Sequence, residues 1–584
     1  MITFGTLRAP IVPLAEGGLP LLEVPGPLPL PETFALLGEE PGRRLVPRTP
    51  SLLPYTSQSR YTRNAVPTDT PVAVLENDDL RATFLLDLGG RLWSLFDKRL
   101  GRELLFQPDE VVLGNLALRD AWFSGGTEWN LGVTGHWGKT CEPVCAGVAG
   151  DSVLRMWTFE RLTRLVWRVE AALDGDRLLI GVRLHNPHDE AVPLYWWSNT
   201  AVPIERGRVL VDASSALWHG YDRILVRRGW PEDHPELSPR SADYFFEINA
   251  PWQASVDDEG YGLLQTSTPE LHGRKLFVWG DGPGGRRWQS WLNGSGRYVE
   301  VQAGYARSQP EHVALEPGAS VSWIESYGPT RVGPDGVPEV RELPNPFSAV
   351  AGVAPVVWRA SDGWGWLEVE AGQLPADQAT PFVPDGGASS EWAGFAAGGA
   401  VPEVAETVTG SPWVARLTDA PQSAWQSLHL GYALWAAGRR GEAVDAWRRS
   451  VEIEPTPQAL RALSHASTDG WDRFDYLERA WQLDPENPEL LVEYLVLAGQ
   501  VSAIVGKVID ALPPELRALP RVRLAECRAL IAVGRLDEAK VILDDIELPN
   551  LREGDGDLTD LWEAWTEASG TDDPLPERLD FRMH

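Results

Sequence analysis

Glu128 and Asn130 lie between Gly126 and Gly132 in the stretch AWFSGGTEWNLGVTGHW, residues 121–137. Trp122, Trp129, His136 and Trp137 surround them. That mixture is too polar for a plain core strand and too aromatic for a plain loop. It suits sugar chemistry, in which rings stack on the apolar faces of pyranoses and carboxylates, amides and arginines bond the hydroxyls. A second carboxylate, Glu300, sits in YVEVQAG. Side chains alternate along a strand, so Tyr298, Glu300 and Gln302 share one face and Val299 and Val301 the other. Two carboxyl groups on either side of a glycosidic bond, one of them an acid, are the machinery of a glycoside hydrolase. The expected roles are Glu128 as general acid, its proton affinity raised beside Trp129, and Glu300 as base or nucleophile. A purely structural reading also exists for Glu128: a buried carboxylate paired with an arginine to hold a loop.

Three further stretches mix acids, amides, bases and rings: YWWSNTAVPIE (195–205), GRKLFVWGDGPGGRRWQSWLNG (273–294) and YVEVQAGYARSQPEH (298–312). Together with the first they offer Trp122, Trp129, Asn130, His136, Asn199, His272, Arg274, Lys275, Trp279, Trp288, Gln302 and His312 as sugar-binding groups. Glu205, Asp222 and Glu325 are acids in reserve. His136, Cys141 and Cys145 fall one ligand short of a structural zinc site, so neither a metal nor a cofactor is expected. GDGPGG (280–285) lacks a following lysine in phosphate-loop spacing and reads as a tight loop.

The elements that must position these groups are mostly strands. From about 70 to 330 short strand patterns alternate with turn signals, as in LRATFLLDL-GG-RLWSLFD, which reads as a large β-sandwich. The domain reading is a proline-rich arm over 1–50, the sandwich with its carbohydrate site over 51–332, and a small β module or linker over 333–412. Helical repeats follow over 413–550, and a C-terminal segment over 551–584. In the repeats Leu430, Gly431, Leu434, Ala443, Trp447 and Pro455 stand where a tetratricopeptide repeat places its small and apolar residues, and the pattern returns near Pro485 and Ala539. The β region alone is expected to carry the ligand. The repeats are expected to serve self-association or a partner protein, since solenoids offer extended concave surfaces.

Composition narrows the partners. The chain of 584 residues has a net charge of −31, which argues against nucleic acid and against an anionic membrane surface. No run approaches the length of a membrane span, and the first residues lack the basic start and apolar core of a signal peptide. With only three cysteines no disulfide framework is expected, and a cytoplasmic protein is inferred. Tryptophan is in excess, 27 against 15 Phe and 12 Tyr. Its two ordinary homes are cores and binding platforms.

The stretches VLENDDLRATFLLDLGGRLWSLFDKRLGRELLF, NLALRDAWFSGGTEWNLGVTGH, YWWSNTAVP, RKLFVWGDGPGGRRWQSWL, YVEVQAGYARSQPEH and LTDLWEAW…DFRMH resemble a bacterial family in which a domain of unknown function precedes tetratricopeptide repeats. The resemblance spans nearly the whole chain. It implies a galactose-mutarotase-like β-supersandwich, a fold that hosts mutarotases, epimerases, lyases and carbohydrate-recognition domains. It therefore implies carbohydrate without choosing a reaction. Aldose mutarotases use histidines with a late carboxylate, and His136, His272 and His312 with Glu300 offer those groups. The expectation is a glycoside hydrolase acting on an oligosaccharide. The alternatives are a non-catalytic carbohydrate-binding scaffold and a sugar mutarotase or epimerase.

Overall fold

The computed structural model describes residues 1–15, 17–24, 43–45, 51–204, 207–220, 225–231, 235, 238–333, 336–499, 502–554 and 556–583. Its first half is a β-supersandwich. Among the described residues nineteen strands hydrogen-bond into one sheet and three into a second. All registered strand pairs are antiparallel, and the sheet folds over a single core of Phe84, Leu92, Trp129, Trp167, Ile180, Trp196, Val301 and Tyr327.

Period-2 alternation decides which side chains enter that core. In Thr127–Leu131, Trp129 and Leu131 point inward. In Tyr298–Gly304, Val299, Val301 and Ala303 do so. Glu128, Asn130, Glu300 and Gln302 are left on the opposite face. That face is covered as well, because every residue of both strands is buried.

Three expectations about the elements are corrected. The arm is a strand at its start: Ile2–Ile11 pairs along its whole length with Val66–Glu76, Pro10 opposite Pro67. Residues 19–22 then reach the repeats, where Pro20 O accepts from Arg461 at 2.7 Å and Leu22 O from Trp435 Nε1 at 2.8 Å. Among its described residues the 333–412 segment holds a strand, Val356–Arg359, a 3-10 turn, Ser348–Val350, and α-helices at Gly363–Glu370 and Gly387–Ala396. Asp362 caps the first of these helices by accepting from Gly365 N at 3.0 Å, so part of the expected β module is a capped helix. GDGPGG opens a helix, Pro283–Asn293. Proline at the first helical position was the signal.

Helical hairpins follow from Ser411–Asp419 to Asp557–Ser569. Gly431 and Trp447 show the repeat packing at work. A Cβ on Gly431 would stand 2.2 Å from Trp447 Nε1, so only glycine lets the two helices of that hairpin close. Among the described residues no helix is long and apolar enough to cross a membrane.

The solenoid returns to the β region. One core cluster joins Phe106, Trp122, Phe277, Trp279, Trp288 and Tyr298 to Leu530, Leu561, Trp562 and Phe581. Trp288 Nε1 donates to Phe581 O at 2.9 Å, and Ser241 N to Met583 O at 3.0 Å.

Candidate functional site

The paired glycines build the site's first corner. Gly125 and Gly126 have φ of 94° and 69°, a region open mainly to glycine. A Cβ on Gly126 would meet Leu92 O at 2.3 Å. The turn therefore lies directly on the Arg91–Asp97 strand, and Arg91 reaches under it. Its Nη1 donates to Phe123 O at 2.6 Å and Gly125 O at 3.0 Å. Its Nη2 donates to Glu128 Oε2 at 2.9 Å and Thr140 Oγ1 at 2.8 Å.

Glu128 is saturated. Besides Arg91, Oε2 accepts from Trp122 Nε1 at 3.1 Å. Oε1 faces His136 Nδ1 at 2.5 Å and accepts from Asn199 Nδ2 at 3.2 Å. Burial opposes its ionisation, but the His136 and Arg91 charges prevail and hold its pKa near about 2. Burial likewise pushes His136 down, and Glu128 overrides it, so the imidazole ends above its ordinary value. Nδ1 is committed to Glu128, which leaves Nε2 as the other proton site. Trp122 covers the ring, centroids 4.9 Å apart.

Glu300 is the opposite case. It pairs in register with Ala201, two residues along from Asn199, which pairs with Glu128. The two acids thus face the same side from strands flanking Trp196–Pro203. Both are 4% exposed. Burial dominates at Glu300; His136 pulls its pKa down and Glu128 pushes it up, and the balance is about 7. Gln302 Nε2 donates to its Oε2 at 2.8 Å. Electrostatics run against the expected assignment: the charges around Glu128 favour its ionised form, while burial favours the protonated form of Glu300.

Lys275 and Gln302 join this face. Lys275 Nζ lies 2.7 Å from Asp243 Oδ1 and 3.0 Å from Gln309 Oε1. Other expected sugar ligands are turned away from the acids or held by the protein itself, each for a physical reason. Trp129 faces the core and donates to Gly90 O at 2.9 Å; alternation forbids it from flanking the same subsite as Glu128. Asn130 is fully buried, and its Oδ1 accepts from Trp137 N at 2.8 Å, closing the 130–137 loop. Arg274 lies inside, donating to Pro251 O, Gly273 O and Ser267 Oγ. Trp279 and Trp288 stack at 6.0 Å within the solenoid interface. His312 is buried edge-on to Tyr195 at 5.5 Å, and burial pushes its pKa down to about 4. His272 is exposed, remote from both acids, at a cavity that Phe245 also lines. Of the reserve acids, Glu325 is a core residue accepting from Ser198, Gln265 and Tyr327. Glu205 and Asp222 lie outside the described residues. Among the described residues no three His, Cys, Asp or Glu side chains come together as a metal site.

Arg91 and Asp243 were missed, and so was His219, whose Nδ1 lies 3.5 Å from Asp243 Oδ2. Asp243 had a signal: in ADYFFE it alternates with Ala242 and Tyr244 as Glu300 does with its valines. Arg91 had none, because its partner is 37 residues away. The solenoid also touches the site's surroundings. Arg552 Nη1 donates to Asn115 Oδ1 at 3.1 Å, and Glu553 N to Asn115 O at 3.3 Å. Gly114, next to Asn115, bridges to Trp122.

A first expected result concerns Glu128→Gln. It strands Arg91 and His136 without their counter-charge, and breaking a buried pair typically costs about 3–5 kcal/mol. The variant should unfold at clearly lower denaturant concentration; an unchanged midpoint contradicts the anchoring role.

Comparison with known proteins finds similarity over part and over nearly all of the chain. A family described as a domain of unknown function (DUF5107) matches residues 47–209. The fold is similar to that of a TPR-domain containing protein from Parabacteroides distasonis, with TM-score 0.71 and 20% identity over 99% of this chain and 97% of that one. A putative aldose 1-epimerase from Escherichia coli overlays with TM-score 0.34 and 14% identity, covering 44% of this chain and 98% of its own. A galactose mutarotase-like protein from Clostridium acetobutylicum overlays with TM-score 0.35 and 9% identity, covering 45% of this chain and 96% of its own.

Proposed function

We propose that the chain is a carbohydrate-active protein whose site interconverts the anomers of a sugar. The observation that carries this reading is the asymmetry of the two acids. Glu128 has a donor on every side and raises the proton affinity of His136, while Glu300 has Gln302 as its hydrogen-bond donor and a pKa of about 7. That leaves one carboxyl and one imidazolium as an acid–base pair rather than two working carboxyls. Ionised Glu300 takes the proton from the anomeric hydroxyl, and His136 Nε2 gives a proton to the ring oxygen. The C1–O5 bond breaks, the carbonyl forms, and rotation about C1–C2 precedes closure by the reverse transfers. Asn199 and Gln302 fix the groups and bond hydroxyls, and Lys275 bonds them from the next strand.

Hydrolysis is the second reading, favoured by both acids facing one side across a single strand. There Glu300 is the acid and Glu128 the base or nucleophile. A partner protein or a second copy at the repeats, where Trp471, Val496 and Val541 are exposed, and a cytoplasmic location belong to the same proposal.

The test is anomer exchange measured by NMR on reducing aldoses, beside an assay for released sugar on oligosaccharides. Exchange without release supports anomer interconversion, and release supports hydrolysis. The pH profile is a further expected result. Activity should rise as Glu300 ionises through about 7 and fall where His136 loses its proton, above the ordinary histidine value. A profile flat between pH 5 and 9 counts against the pair.

A further inference from the structure

The site face continues well past Glu300. Six strands lie side by side in the order Thr127–Leu131, Trp196–Pro203, Tyr298–Gly304, Gly273–Val278, Ala242–Asp257 and Gly207–Gly220. Their registers align two rows of side chains. One runs Ala201, Glu300, Phe277, Asp243, His219. The other runs Glu128, Asn199, Gln302, Lys275, Phe245, Leu217. Five interstrand steps of about 4.8 Å give a path of roughly 24 Å, longer than one sugar ring needs.

The second row ends in a cavity of about 580 Å³, within the size range of ligand pockets. Leu217 and Phe245 belong to both the row and the cavity wall, so the two are continuous. Leu271 completes an apolar floor, and Asn249, His272 and Arg307 stand at the rim. An apolar wall edged with hydrogen-bonding groups suits a pyranose, which presents an apolar face and a belt of hydroxyls. A polar chain leads from Glu300 through Gln302 and Gln309 to Lys275; Lys275 meets Asp243 at 2.7 Å, and His219 Nδ1 lies 3.5 Å from the other Asp243 oxygen.

We propose that this cavity is a distal sugar subsite and that the substrate is an oligosaccharide, with its reducing end at Glu300 and His136 and its body along the row that ends in the cavity. The inference rests on the anomer-interconverting reading for the chemistry at one end only. It assigns His272 a binding role remote from the reacting centre.

The experiment uses the full chain. Glucose, galactose, mannose and xylose are compared with their linear tetrasaccharides, binding by calorimetry and anomer exchange by NMR. The variant is Asn249→Ala with His272→Ala, both on the exposed rim. One tetrasaccharide should bind at least about tenfold more tightly than its monosaccharide. The double variant should lose about that factor for the tetrasaccharide and leave monosaccharide binding and exchange unchanged. Exchange with no preference for length, or a variant that weakens both ligands alike, overturns the subsite and leaves the chemistry standing. Tetrasaccharide binding that the variant weakens, with no exchange on any sugar, supports the subsite and overturns the chemistry. No binding and no exchange overturn both.

Discussion

Replacing Glu300 by Gln should lower anomer exchange by about 10² to 10⁴, the usual worth of a positioned acid–base group, while sugar binding persists. The amide keeps the size of the carboxyl and still offers its oxygen to Gln302 Nε2. It cannot take up a proton from an anomeric hydroxyl. Stability gives an independent check, and its sign follows from linkage. Glu300's pKa is raised from 4.5 to about 7 in the folded protein, so the folded state binds the proton more tightly than the unfolded one. Stability then falls as pH rises from about 4.5 to about 7 and is level above that. Glu300→Gln removes the cost of burying the charge, so the variant should melt higher than the parent at pH 8 and show less difference at pH 4.5. Lost activity with raised alkaline stability is the signature of a strained catalytic carboxyl. Lost activity with lowered stability at both pH values would make Glu300 a structural residue.

How much of this was legible depends on range along the chain. Alternation is local, and it put Glu300 and Gln302 on one face and their valines on the other, as the structure does. The same rule, applied to Thr127–Leu131, already separates Glu128 from Trp129. The expectation that Trp129 flanks the acid's subsite and raises its proton affinity set that rule aside in favour of adjacency in sequence. What no local pattern carries is the partner from afar. Arg91 depresses Glu128 across 37 residues, and Asp243 claims Lys275 from another strand. The tryptophans divide the same way. Trp447 sits at a repeat position that sequence spacing marks. Trp288, by contrast, looks like a platform until Phe581, 293 residues later, arrives to cover it. The strand at Ile2–Ile11 was obscured by prolines that its register accommodates. The helix at Gly363–Glu370 was obscured by its glycines, although Asp362 was in place to cap it.

The β region was expected to bind its ligand without the repeats, and the interface argues for a different outcome when the chain is cut after residue 412. The cut removes Leu530, Leu561, Trp562 and Phe581 from a cluster whose other half is Phe106, Phe277, Trp279, Trp288 and Trp291. It also removes the acceptors of Trp288 Nε1 and Ser241 N. Fully burying a large apolar side chain is worth about 1.5–3 kcal/mol, and several are exposed at once, against a total stability of about 5–15 kcal/mol for a typical protein. The 1–412 fragment should therefore aggregate or bind a hydrophobic dye strongly, where the full chain does neither. A gentler probe separates interface from site. Phe581→Ala leaves a cavity against Trp288 and Trp291, whose rings it meets edge-on at 5.1 and 5.4 Å, and a buried Phe→Ala change costs about 3–5 kcal/mol. The effect on exchange should follow the folded fraction, because the partners of Phe581 are Trp288 and Trp291 and neither bonds an acid. Arg552→Ala acts nearer, through Asn115 and the Gly114–Trp122 bridge to the ring that covers His136. It should lower exchange by more than its loss of stability explains. A soluble, well-folded 1–412 fragment with full exchange activity would reduce the solenoid to an appendage and remove the reason for Arg552 to matter.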